Sequence, residues 1–76
     1  MHNRLKNWTF NNVENFLRNN NFTLHHTNGS HYYYIGNNQK LVCVPFHGSK
    51  TIKPRTIKGI ISQSGISQEK WFNPKK

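Results

Sequence analysis

The sequence of 76 residues predicts an α+β domain with the element order α-β-β-β-α. Apolar residues recur at helical spacing near both ends, and strand-like stretches separated by turn signals fill the middle. Such elements pack as helices on one face of a three-stranded antiparallel sheet. A chain of this length forms one domain. We expect one domain over residues 1–76, with a loose basic arm at 1–8 and a folded core at 9–72.

The first helix is predicted to begin after Thr9, a good N-cap residue. The apolar residues that follow share one helical face, and Asn19-Asn20-Asn21 provides a left-handed end. That face consists of Phe10, Val13, Phe16 and Leu17.

Three strands are predicted next, joined by turns at Asn28-Gly29 and Gly36–Gln39. Pro45 ends the third strand because it cannot donate a ladder hydrogen bond. The predicted strands are Phe22–Thr27, Ser30–Ile35 and Lys40–Val44.

Symmetric two-residue turns would put His31, partly buried, at the rim of the apolar sheet face. A slip of one residue would place it on the open face instead. The predicted apolar face consists of Phe22, Leu24, Tyr33, Ile35, Val42 and Val44.

The second helix is predicted to begin at Pro54, which suits a first helical turn, and to end before Gly65. Ser67 can cap a short last turn that runs through Phe72. The apolar face of the second helix consists of Ile57, Ile60, Ile61 and Ser64.

The net charge of +9 and the pI of about 10.2 indicate a polyanionic partner: nucleic acid, an acidic protein or anionic lipid. No apolar run approaches the roughly 20 residues that span a bilayer, and the N-terminus lacks a secretory signal. The single Cys43 fits a reducing cytoplasm. We therefore expect a cytoplasmic protein without a membrane partner.

The acidic residues exclude several enzyme classes, because Glu14 and Glu69 are the only carboxylate side chains. Mg²⁺-dependent nucleases and glycosidases need several carboxylates. The histidines and Cys43 match no closed zinc motif. We expect no metal and no cofactor, so any catalysis depends on His, Lys, Arg, Ser, Thr and Tyr.

Antiparallel strand order places His31 at the same edge of the sheet as the loop after Pro45 and the start of the second helix. This edge is the end of the sheet at which the second strand begins and the third strand ends. A histidine there can remove the 2′-OH proton of RNA, while cations and helix N–H groups stabilise the phosphate. His31 is therefore the candidate catalytic residue. The candidate RNA or phosphate ligands are Ser30, His47, Lys50, Lys53 and Arg55.

Two elements together resemble the HicA family of bacterial toxins, the YcfA-like mRNA interferases: Gly29-Ser30-His31-Tyr32, and Val44-Pro45 followed by His47. The resemblance covers about residues 9–72. It implies a fold like the double-stranded-RNA-binding domain, and the family's catalytic histidine aligns with His31. Asn21 and Arg55 stand where the family usually has glycine.

The resemblance also implies an endoribonuclease toxin of a type II toxin–antitoxin system. Such a toxin cleaves mRNA, arrests growth and is neutralised by an acidic HicB-like antitoxin that covers the active site.

Two alternatives use the same residues: a non-catalytic RNA-binding module, and an interaction protein whose basic surface serves an acidic partner. His31 and His47 then have structural roles, and the tyrosines at 32–34 mainly pack across strands, with one or two able to stack on a base.

Overall fold

The computed structural model describes residues 5–46, 48 and 50–72. The three strands form one antiparallel sheet in the order β1-β2-β3, which confirms the predicted fold class. No helix in this described part has the length and apolar character needed to cross a membrane. The elements are α1 (Phe10–Asn19), β1 (Phe22–Asn28), β2 (His31–Gly36), β3 (Leu41–Pro45), α2 (Pro54–Ser64) and α3 (Gln68–Phe72).

Helix α1 begins and ends as predicted. The Asn12 N–H donates to Thr9 Oγ1 at 3.3 Å, and the Thr9 N–H donates to Asn12 Oδ1 at 3.0 Å. These two bonds satisfy backbone donors that the first turn leaves free. The chain leaves the helix through Asn21 with a φ of 68°. The buried residues of α1 are Phe10, Val13, Phe16 and Leu17.

Helix α2 also follows the prediction, with Pro54 in its first turn and Gly65 at a φ of 73° after its end. The Asn38 side chain donates to the Ser64 carbonyl at 3.1 Å, so this end lies beside the β2–β3 turn. The start of α2 therefore lies at the opposite sheet edge, where β3 ends. Its buried residues are Ile57, Ile60, Ile61 and Ser64.

The predicted apolar face is wrong for β2. Tyr34 pairs with Leu24 and Val42 and is fully buried beneath the helices. His31, Tyr33 and Ile35 alternate with it and lie on the open face. Leu24, predicted to be in the core, is 41% exposed at the edge of the covered face.

The turns explain this reversal. The first turn consists of Gly29 and Ser30, because Asn28 pairs with His31. Gly29 has a φ of 62°, as the first central residue of a type II′ turn requires, whereas Ser30 keeps an ordinary φ. The second turn is one residue longer than predicted, because the Gly36 N–H donates to the Lys40 carbonyl at 3.1 Å, and Gln39 takes its left-handed position at a φ of 66°. Strand β2 is thus turned over relative to both neighbours.

The packed structure includes residues before α1 and after α2. The Ile52 N–H donates to the Trp8 carbonyl at 2.7 Å, and Leu5 and Trp8 pack against the core. Trp71 of α3 is buried and stacks on Phe16 with ring centroids 3.9 Å apart. Packing therefore begins earlier than the predicted boundary at residue 9. Residues 1–4 of the predicted basic arm lie outside the described part.

Candidate active site

His31 is the first residue of β2, and its side chain is exposed on the open face of the sheet. It pairs with Asn28 on β1 and with Pro45 on β3. Directly paired residues of antiparallel strands have Cβ atoms about 5 Å apart, so these two side chains flank His31. The expected partial burial of His31 is wrong, because the shifted turns place it on the accessible side.

Ser30 ties the start of β2 to the loop that follows β3. The Phe46 N–H donates to the Ser30 carbonyl at 2.7 Å. On the helical side, the Phe10 ring meets the Tyr32 and Phe46 rings edge to face, each with centroids 5.0 Å apart. The structure thus places His31 beside the beginning of the loop that the sequence assigned to the site.

The three basic candidates lie around the start of α2, and all are exposed: Lys50, Lys53 and Arg55. Lys53 is the N-cap residue, without a side-chain capping bond, and Arg55 lies in the first turn. Lys50 lies just before them. Because α2 packs on the covered face, these cations share an edge with His31 but not a face. His47 lies outside the residues that the structure describes.

A stacked pair of rings lies next to His31 on the open face. The His26 and Tyr33 rings have centroids 4.4 Å apart and planes within 8° of parallel. The Nδ1 atoms of His25 and His26 are 2.7 Å apart. A hydrogen bond to the side chain of Cys43, the residue opposite on β3, raises the pKa of Tyr33 above 10.0. His26 is not among the candidate site residues predicted from the sequence; the correct register is the signal that reveals this pair.

Both carboxylates of the chain belong to helices and not to the open face. Glu14 accepts a hydrogen bond of 2.6 Å from the Tyr34 hydroxyl and pairs with Arg18 at 3.3 Å. Among residues 5–46, 48 and 50–72, no three His, Cys, Asp or Glu side chains group as a metal site would require. Glu14 therefore has a structural role in this geometry.

A sequence model of the family described as HicA toxin of bacterial toxin–antitoxin systems matches residues 10–66. The chain belongs to the HicA toxin family. The match extends from the first residue of α1 to just beyond α2, so it includes the whole sheet and His31. No curated protein matches the chain.

As a HicA protein, the chain is the toxin of a toxin–antitoxin system, which implies an antitoxin partner. HicA toxins in general are ribonucleases. The family membership confirms the resemblance proposed from the sequence, and α3 lies beyond the matched segment.

Proposed function

We propose that this HicA toxin is a metal-independent endoribonuclease that cleaves mRNA, with His31 as the general base. One observation carries the proposal: His31 is exposed on the open face, at the edge where β3 ends and α2 begins. An RNA backbone can reach an imidazole in that position. Imidazole is the side chain best suited to exchanging protons near neutral pH.

The reaction uses the nucleophile that RNA itself provides. A nitrogen of the His31 ring accepts the 2′-hydroxyl proton while the 2′-oxygen attacks the adjacent phosphorus. The bond from phosphorus to the 5′-oxygen breaks, and that oxygen takes up a proton from water. The products are a 2′,3′-cyclic phosphate and a 5′-hydroxyl, and no metal ion is needed to activate water.

Lys50, Lys53 and Arg55 provide positive charge at the edge that His31 occupies. Their role is to hold phosphates, assisted by the uncapped N–H groups of the first turn of α2. Because His31 is on the open face and α2 on the covered face, the RNA backbone has to cross the rim between them. Ser30 and His47 are further candidate ligands at this rim.

The same surface is the proposed target of the antitoxin. We expect an acidic, HicB-like protein that covers His31, because the net charge of +9 favours an acidic partner. Antitoxin and mRNA would then compete in the cytoplasm for the same region of the toxin.

The deciding experiment measures degradation of an mRNA transcript by pure protein in EDTA. His31→Ala should lower the rate by about 10²- to 10⁴-fold, the usual contribution of general acid–base catalysis. Asn37→Ala, exposed in the turn at the far edge, is the matched control and should cleave like the wild type. Circular dichroism should show the same fold for all three proteins.

Two results would contradict the proposal. RNA that stays intact with the wild type would favour a non-catalytic RNA-binding module. Equal cleavage by His31→Ala would remove His31 from the chemistry. A transcript with 2′-O-methyl groups should remain uncut, because it lacks the nucleophile.

A further inference from the structure

The open face of the sheet presents the stacked His26–Tyr33 pair beside the proposed catalytic base. Tyr33 follows His31 by two residues on the same strand, so their Cα atoms are about 7 Å apart on one face. His26 extends the pair across to β1, where it lies opposite Tyr33. The two rings are therefore within one nucleotide's reach of His31.

The chemistry of this face suits nucleobases. Neither carboxylate of the chain belongs to the three strands, so the face has no acidic group to repel a polyanion. Ile35 and Leu41 pair at its far end and add apolar surface. Aromatic rings on an acid-free surface are typical of proteins that bind single-stranded nucleic acid.

Tyr33 is held from both sides. Its ring stacks on His26 of β1 with the planes within 8° of parallel, and Cys43 of β3 pairs with it on the other side. A ring that is already fixed loses little conformational entropy when a base stacks against it. This geometry therefore favours base binding over a surface pair of rings that binds no ligand.

We propose that the His26–Tyr33 pair is a stacking platform for an unpaired RNA base next to the scissile phosphate. This inference rests on the proposed ribonuclease function and adds the substrate class, which is single-stranded RNA. In a duplex the bases are paired inside the helix and cannot reach the two rings. Duplex segments of an mRNA should therefore be poor substrates.

The test measures binding of a fluorescein-labelled 2′-O-methyl RNA of about 12 nucleotides, a length that OB-fold proteins bind, by fluorescence anisotropy. Tyr33→Ala should weaken binding by about 5- to 150-fold, because stacking contributes about 1–3 kcal/mol per base. Tyr33→Phe retains the ring and should bind within about 3-fold of the wild type. Leu24→Ala, on the covered face, is the control and should bind normally.

The outcomes separate this inference from the proposed function. Unchanged RNA affinity of Tyr33→Ala would overturn the platform, even if the wild type cleaves RNA and His31→Ala does not. Tyr33-dependent binding without any cleavage would support the platform and contradict the ribonuclease proposal. Loss of antitoxin capture with unchanged RNA affinity would overturn it in favour of a protein-binding face.

A second measurement does not depend on how the variants fold. Single-stranded RNA containing 4-thiouridine is photocrosslinked to the wild-type protein, and the adduct is located by mass spectrometry. Adducts on His26 or Tyr33 would support the platform. Adducts confined to α1 or α2 would contradict it.

Discussion

Tyr34 is the residue whose environment shows why the sheet has its observed register. It is fully buried, and its hydroxyl donates to Glu14 Oε2 at 2.6 Å. The Arg18 guanidinium lies over its ring, 5.9 Å from the centroid. Burial and the hydrogen bond to Glu14 raise the pKa of Tyr34 well above its usual value. The predicted register would bury Ile35 in place of Tyr34, and Glu14 would then lose this hydrogen-bond donor.

Tyr34→Phe should lower the free energy of unfolding by about 1.5–3 kcal/mol, the usual contribution of a hydrogen bond to a charged group. The lower end is expected, because Glu14 keeps Arg18 and is partly exposed. Urea unfolding provides the measurement, with Tyr33→Phe as the control because its hydroxyl lies on the open face. An equal loss in both variants would show that the buried hydroxyl has no special role.

The burial of Tyr34 and its hydrogen bond to Glu14 make stability depend on alkaline pH. Unfolded Tyr34 ionises near pH 10.0, whereas the folded protein holds the proton to higher pH. The contribution is therefore complete below pH 10.0 and decreases as the pH rises above it. The stability difference between wild type and Tyr34→Phe should shrink over that range in urea titrations, and a constant difference would contradict this.

At the level of the elements, helices α1 and α2 were predictable and the face of β2 was not. Helix α1 has a cap, an apolar stripe and a left-handed asparagine, and α2 has proline and glycine at its ends. In β2, residues 32–34 are all tyrosine, so the sequence shows no alternation of apolar and polar residues that would tell the two faces apart. Asn28-Gly29 and Gly29-Ser30 are both good hairpin turns, one residue apart.

The edge position of His31 was predictable because it follows from strand order alone and not from the register. Its exposure was not predictable, because a shift of one residue exchanges the two faces. The His26–Tyr33 pair was hidden for a further reason. A bulge between Leu24 and His26 shifts the pairing of β1 with β2, and no residue type at that point indicates a bulge.

The start of α2 leads to a prediction about salt. Replacing Lys53 and Arg55 together with Gln should weaken binding of uncleavable single-stranded RNA. It should also reduce the slope of log affinity against log salt by about 0.7 for each lost phosphate contact. Binding is measured at several salt concentrations. Lys40→Gln, in the turn at the opposite edge, is the matched control, and an equal effect there would locate the RNA elsewhere.

At the level of the whole molecule, α3 joins separate parts of the core although it follows the segment that defines the family. Trp71 stacks on Phe16, meets Trp8 at 5.5 Å, and donates from Nε1 to Ser64 Oγ at 3.2 Å. It thus connects α1, α2 and the segment before α1. In a small domain one such side chain makes a large part of the core.

Trp71→Ala should lower the free energy of unfolding by about 3–5 kcal/mol, the usual cost of removing a buried aromatic side chain. Urea or thermal unfolding tests this expectation. Trp71→Phe retains an aromatic ring but loses the bond to Ser64, so its loss should be smaller. Wild-type stability for Trp71→Ala would show that α3 is an accessory to a core complete by Gly65.

The contact between α2 and β3 also bears on self-association. An edge strand with free N–H groups can recruit a strand from another copy and start aggregation. The Cys43 N–H, in the middle of β3, donates instead to Gln63 Oε1 at 3.1 Å, and Pro45 has no N–H to offer. In β1, the outer strand on the opposite side of the sheet, the bulge interrupts regular pairing. Both margins of the sheet therefore disfavour edge-to-edge polymerisation, which helps this strongly basic toxin to remain dispersed when its antitoxin is absent.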